Sequence, residues 1–361
     1  MFETRRLKPL LLCVMAALPG SRAIGAVEKI ELSGPKSDLA FETSPFMRAT
    51  AYSHPETLSN DAAASGAYGP YNRDFDAGKN GEWFIESQRF GFDAVGAGLA
   101  HGRKDLIDRG LHIFDWGLAH QSPDGSFHCP DRYHSTAFFL EAVARAALLL
   151  ESSPFRDDYK AWVESAKPKL RAGALWMISP AQEKKGLTGD SPYTHRYYLN
   201  ADAVGFVGLL DDDADLIRKS KDYVRMGLSK QAPQGFNPEK GGSDTSYHAV
   251  GLVFALRYYD ILADKALREE MSPMISSGLK WLGSRVREDG SFDQTGNTRT
   301  GSGQEIGRDK KPKTMSYGSA ARAFADWSRV TGDSAGEEIA RRVFLFARSS
   351  ARVSASTRST R

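Results

Sequence analysis

Cysteine is nearly absent from this chain. Cys13 and Cys129 are the only two, and Cys13 lies in a leader-like N-terminus, so no intrachain disulfide is expected after processing. Long apolar runs are missing too. Leu10–Leu18 is too short to span a bilayer and no later segment does better, so no membrane anchor is expected. An excess of one charge is also lacking. The net formal charge is +3, and residues 1–26 hold Arg5, Arg6, Lys8 and Arg22 against Glu3. The remainder is about neutral, which argues against a nucleic-acid partner. No segment alternates apolar and polar residues for long enough to suggest a β domain. His128, Cys129 and His134 lie close together, but no fourth ligand follows at a recognised metal spacing. No metal or other cofactor is expected.

What is present begins with a leader. Arg5, Arg6 and Lys8 precede the short apolar stretch, Pro19 and Gly20 follow it, and Ala23-Ile24-Gly25-Ala26 supplies small residues. This order reads as a secretory signal over residues 1–26 and implies a periplasmic or secreted protein. The polar end, residues 350–361, reads as a disordered tail. Residues 27–349 then form one domain, expected to act as a monomer.

That domain repeats itself. "PDGSFHCPDRYHSTAFFLEAVARAALLL", "PQGFNPEKGGSDTSYHAVGLVFALRYYD" and "EDGSFDQTGN" with its continuation "SYGSAARAFADWSRVTG" share one plan. Each has a Gly-aromatic turn, a polar loop and an apolar helix rich in small residues. Phe127, Phe236 and Phe292 are spaced by 109 and 56 residues, so a further unit belongs between the first two. "SPYTHRYYLNADAVGFVGLL" fills that place, and "NGEWFIESQRFGFDAVGAGLA" precedes them all. Each unit also carries a second helix. In "RKDLIDRGLHIFDWGLAHQ", Ile107, Leu111, Phe114 and Leu118 make one apolar stripe. An apolar inner helix and an amphipathic outer helix, five times over, predict an all-α fold. The expected architecture is an α/α toroid, an incomplete barrel of about five to seven helix pairs. An α-solenoid also repeats helix pairs, but usually with shorter units and without long Gly-rich loops before each inner helix.

In a toroid the five loops and five inner-helix N-termini share one end. Those N-termini favour anions. The residues expected to converge there are Glu86, Gln88 and Arg89; Arg132, Tyr133 and His134; Tyr193, His195 and Arg196; Asp244, Tyr247 and His248; and Tyr317. The set is rich in Tyr, His and Arg and poor in paired carboxylates. That mix suits proton abstraction beside a neutralised carboxylate, as at C5 of a uronate sugar, with Tyr or His as acid and base.

"YTHRYYLNADAVGFVGLL" resembles the Asn-Asn-His-x-Tyr-Trp inner-helix motif of family 5 alginate lyases, and "SYHAVGLVFAL" resembles their Tyr-His-Asn segment. His195 and Tyr247 are 52 residues apart, one repeat, as in that family. The likeness is strongest over residues 190–260. It implies a toroidal polysaccharide lyase acting on an anionic polysaccharide. It makes His195 the neutraliser or base and Tyr247 the acid or base. Thr194 stands where the family has Asn, and Lys240 rather than Arg lies seven residues before Tyr247. The resemblance implies a uronate polymer, alginate or glucuronan, and the two departures leave Asn200, Arg196 or Lys240 to neutralise its carboxylate.

Plainer readings stand beside these. Tyr247 with His248, Tyr133 with His134, and Tyr317 also suit helix capping and packing. Arg299 and Arg308 belong to the long loop "GNTRTGSGQEIGRDKKPKT", either a substrate lid or a solvated loop. "DDDAD", Asp211–Asp215, is explained by carboxylates at a helix start. Two other functions remain open. One is a toroidal glycoside hydrolase using carboxylates among Glu86, Asp93, Asp244 and Asp293. The other is a glycan-binding protein with Trp83, Phe127 and Phe236 as a sugar platform.

Overall fold

Among the described residues every regular element is a helix, with only isolated β-bridges between loops. The computed structural model describes residues 34–301, 304–308 and 310–359. The expected signal, residues 1–26 with Cys13, lies outside them. No helix of the described residues is long and apolar enough to cross a membrane.

The chain opens with α1 (Pro35–Glu42), α2 (Pro45–Ala49) and α3 (Pro70–Asp76). A 3₁₀ turn, Ile85–Phe90, leads into α4 (Gly91–His101), and α5 (Lys104–Ala119) follows. Then come α6 (Arg132–Ser152), α7 (Arg156–Ile178), α8 (Pro180–Asp190), α9 (Thr194–Leu210) and α10 (Ala214–Leu228). The last are α11 (Thr245–Ile261), α12 (Lys265–Ser284), α13 (Tyr317–Thr331) and α14 (Ser334–Ser359). The backbone of α14 runs through 350–359, where the sequence suggested a disordered tail, because the helix begun by Ser334 continues past its apolar stripe.

The helices of the repeat sort as the sequence pattern demands. α6, α9 and α11 are buried nearly all round, whereas α5 and α10 bury one stripe. The first helices of the repeat units pack in series, α4 on α6, α6 on α9, α9 on α11 and α11 on α13, of which α13 buries only one stripe. Each also packs on the amphipathic helix that follows it, α5, α7, α10, α12 or α14, apart from the short α8 inserted after α7.

The Gly-aromatic turns explain why the repeat is visible. Gly125, Gly235 and Gly290 all have positive φ, and a Cβ on them would lie 2.2, 2.6 and 2.3 Å from the carbonyl oxygens of Ala172, Ser277 and Arg342. Each turn thus docks against the backbone of the next outer helix, and only glycine fits. Gly66 makes the same turn against His112 of α5. Of the aromatics near these turns, Phe127, Phe292 and Trp83 are core residues. Phe127 is fully buried, Trp83 packs on Phe75, Trp116 and Phe127, and Phe236 lies against Trp281. Phe127 and Trp83 are therefore not available as a sugar platform, whereas Phe236 is half-buried.

α1 rests against α4, α6 and α11. Its Asp38 accepts from Arg145 Nε and Nη2 of α6 at 2.7 and 2.8 Å, and its Glu42 pairs with Arg145 and with Arg322 of α13. These charges are buried, so their mutual satisfaction is what lets α1 sit there. "DDDAD" does what a helix start requires. Asp213 caps α10 by accepting from the amides of Asp215 and Leu216.

Candidate functional site

Two capping arrangements place the two central side chains. α11 is capped by Asp244, whose Oδ1 accepts from the Tyr247 amide at 2.9 Å. Its Oδ2 accepts from the amides of Arg299 and Thr300, tying the long loop to the start of α11. α9 has no side-chain cap of its own. Glu239, from the preceding loop of α11, takes that place and accepts from the His195 amide at 3.0 Å. The loop around Glu239 is held by Lys240 in a left-handed conformation, its amide donating to Pro192 O, and by Thr298 Oγ1 donating to Glu239 O.

Glu239 therefore meets His195 twice. Its Oε1 also contacts His195 Nδ1 at 2.9 Å, and its Oε2 accepts from Arg299 Nη1 at 2.9 Å. Burial opposes a charge on Glu239, but His195 and Arg299 outweigh it and hold the carboxyl below its ordinary value. An ionised carboxylate only accepts, so His195 Nδ1 carries the hydrogen and Nε2 keeps its lone pair. Burial lowers the His195 pKa despite Glu239's pull the other way, which keeps the imidazole neutral at pH 7.

Tyr247 stands next to this imidazole, with ring centroids 5.1 Å apart. The Arg299 guanidinium lies over the Tyr247 ring at 3.4 Å and over the Tyr193 ring at 4.5 Å. Glu305 gathers Lys240, Lys313 and Arg299, and these cations overcome its burial and push its carboxyl down to about 2.

A cavity of about 1080 Å³ opens beside these groups. His195, Tyr247, Arg196, His134 and Arg89 line it, five of the side chains expected at the site. Its wall carries seven cationic side chains, Arg89, Arg145, Arg196, Arg257, Arg299, Arg308 and Lys313, against the four carboxylates of Glu86, Asp93, Asp131 and Glu141. His134 is buried, its ring centroid 6.1 Å from that of His195, and burial drives its pKa well down. Arg196 is held by Asp190 at 2.8 Å and faces Asp131 at 3.6 Å.

Nine expected site residues do not line the cavity, among them Gln88, which donates to Gly66 O and Ile113 O, and Arg132, which meets His128. Asn200 lies one turn below Arg196 and donates to Asp190, so it braces the carboxylate that holds Arg196. Tyr193 and Lys240 stand behind Tyr247 and Glu239, against Arg299 and Glu305 respectively. His248 is turned away and fully buried. Its Nδ1 accepts from the Asn237 amide, its Nε2 donates to Gly278 O, and its ring meets Trp281. A quarter turn from Tyr247, it packs α11 on α12 rather than facing the cavity. Tyr133 is buried against Trp176 and Gly186, and Tyr317 packs on Phe292 and Phe346. Asp244 is consumed as a cap and Asp293 pairs with Arg285 and Arg287, which leaves Glu86 and Asp93 of the carboxylates considered for hydrolysis.

Glu239, Glu305 and Lys313 carry no motif in the sequence. Their only signal is that charged residues crowd two polar loops, "NPEKGG" and "GQEIGRDKKPKT", each ahead of an apolar helix. The second loop reaches across the cavity mouth. Ile306, Gly307 and Arg308 line the cavity, Arg308 pairs with Glu86, and its guanidinium lies 3.9 Å from the centre of the Phe84 ring. Tyr71 Oη donates to Arg308 O at 3.5 Å.

No family model, curated protein or solved structure matches this chain.

Proposed function

We propose that this protein is a secreted or periplasmic polysaccharide lyase that cleaves a uronate-containing polymer by β-elimination. The observation that carries the reading is the neutral His195, fixed through Nδ1 by Glu239, beside Tyr247 in a cavity rich in cations. The cationic wall draws in the polymer and neutralises the uronate carboxylate, which acidifies the C5 proton. His195 Nε2 takes that proton. The C–H electron pair becomes the C4–C5 double bond as the C4–O4 bond breaks, and Tyr247 gives its proton to the departing O4. The proton on His195 returns to Tyr247 through solvent before the next turnover. Proton transfers of this kind typically contribute ~10²–10⁴ in rate.

The same reading takes the series α4, α6, α9, α11 and α13, each backed by its amphipathic partner, as an incomplete α/α toroid of five helix pairs. It takes residues 1–26 as the export signal and the mature chain as a monomer.

One observation favours a second reading. Burial raises Asp93, on the cavity wall, to about 6 even though Arg89, Arg257 and Arg145 oppose the shift. A carboxylic acid so placed is what a glycoside hydrolase uses as its general acid. The deciding experiment incubates the protein with alginate, polyglucuronate and glycosaminoglycans while following ultraviolet absorbance and reducing ends. Rising absorbance supports the lyase. Reducing ends without absorbance support the hydrolase, and neither signal sinks both.

A further inference from the structure

We infer that the cavity receives the end of an acidic chain rather than its middle, with Arg89 holding the carboxylate of the terminal residue. This rests on the reading above that the ligand is an acidic polysaccharide.

The first ground is depth. Tyr247 and Arg257 both line the cavity and lie ten residues apart on α11, so it descends about 15 Å along the helix at 1.5 Å per residue. The second is a closed floor. Arg145 lines the inner end, and α1 is locked beneath it by Asp38 and Glu42. A polymer that enters cannot leave on the far side.

The third ground is the strap over the mouth. On one side Glu305 is bonded to Arg299, Lys240 and Lys313, next to the starts of α9 and α11. Three residues later Arg308 reaches Glu86, Phe84 and Tyr71 at the opposite rim. An extended chain lying across the mouth meets this strap, whereas a chain end entering beside it does not.

The fourth ground is Arg89 itself. Arg196, Arg257, Arg299 and Arg308 each hold a carboxylate of the protein. Arg89 lies instead over the Phe138 and Phe90 rings at 4.1 and 4.7 Å, and among the described residues no carboxylate is bonded to it. A guanidinium fixed on two rings with its donors free toward a cavity is suited to bidentate capture of a carboxylate.

The test counts protein copies per chain. The Tyr247→Phe protein is mixed with alginate, polyglucuronate and hyaluronate, each as a tetramer and as a long polymer, and binding is followed by calorimetry and sedimentation. The inference expects one copy per chain for tetramer and polymer alike. It also expects Arg89→Gln, in the same background, to weaken tetramer binding at least tenfold, and Arg308→Ala to admit additional copies along the polymer. With wild-type protein, products should be short from the first minutes, while viscosity falls little. Several copies per polymer before the strap is cut, early mid-length products, or no binding to any of these chains overturns the inference. The two readings fail separately. Several copies per polymer with rising absorbance removes chain-end recognition and keeps the lyase. One copy per chain without absorbance from wild-type protein does the reverse.

Discussion

The Arg299 guanidinium lies 3.4 Å from the centre of the Tyr247 ring while its Nη1 donates to Glu239 at 2.9 Å. Glu239 spends its other oxygen on His195. One buried ion pair thus sets the position of both candidate catalytic groups. Lysine keeps the charge but not the planar fork that stacks and donates at once. Arg299→Lys should cost at least ~10²-fold in kcat by displacing both proton-transfer groups, and should destabilise the fold by only about 1 kcal/mol through lost hydrogen bonding, because a cation still faces Glu239. Steady-state kinetics and urea unfolding check the two halves.

Glu239→Gln separates charge from shape. The Glu239 carboxylate raises the His195 pKa against the larger effect of burial, so removing it lowers that pKa further. The acid limb of the pH–rate profile should move to lower pH while kcat falls ~10²-fold and KM changes little, since a weaker base is less effective. A limb that stays in place detaches Glu239 from the proton transfer.

His248 gives a stability prediction with a defined pH window. Its pKa is lowered to about 4 by burial, from an unfolded value of about 6.5. Below about 6.5 the unfolded chain takes up a proton that the folded chain refuses, so stability is lost as pH falls toward about 4. The loss at this one residue is on the order of 3 kcal/mol. His248→Gln should be less stable than wild type at pH 7, and the gap should shrink across that window. Thermal melts at a series of pH values read it directly.

Tyr133 offers a negative control. Its hydroxyl is buried near that of Tyr223 but, among the described residues, has no partner at hydrogen-bonding distance, and its ring is clamped by Trp176 and Gly186. Tyr133→Phe should therefore hold stability within ~0.5 kcal/mol or improve it, because it removes an unsatisfied buried group. Activity should stay within twofold of wild type. A large activity loss would return Tyr133 to the site.

The helices were legible because burial imposes a period. α6, α9 and α11 read as apolar all round, and the Gly125, Gly235 and Gly290 turns recur because each meets an outer-helix backbone. The same reasoning brought His195, Tyr247, His134, Arg196 and Arg89 to one cavity. It failed for His248 because neighbours on a helix point about 100° apart, and one of two adjacent aromatics had to face α12. Glu239 and Arg299 were not assigned because a cap supplied from another loop leaves no local pattern. Their partners lie 44 and 60 residues away in sequence. α1 was missed for a similar reason, since its place depends on Arg145 more than a hundred residues on.

The most direct measurement is the turnover and binding of Tyr247→Phe. The change removes one oxygen and keeps the ring under Arg299, so folding and polymer affinity should be nearly those of wild type. Without a proton for O4, the rise in ultraviolet absorbance on a uronate polymer that the wild-type protein cleaves should be abolished. Near-wild-type absorbance kinetics from Tyr247→Phe contradicts the account, and leaves Tyr247 as no more than a packed residue of the first turn of α11.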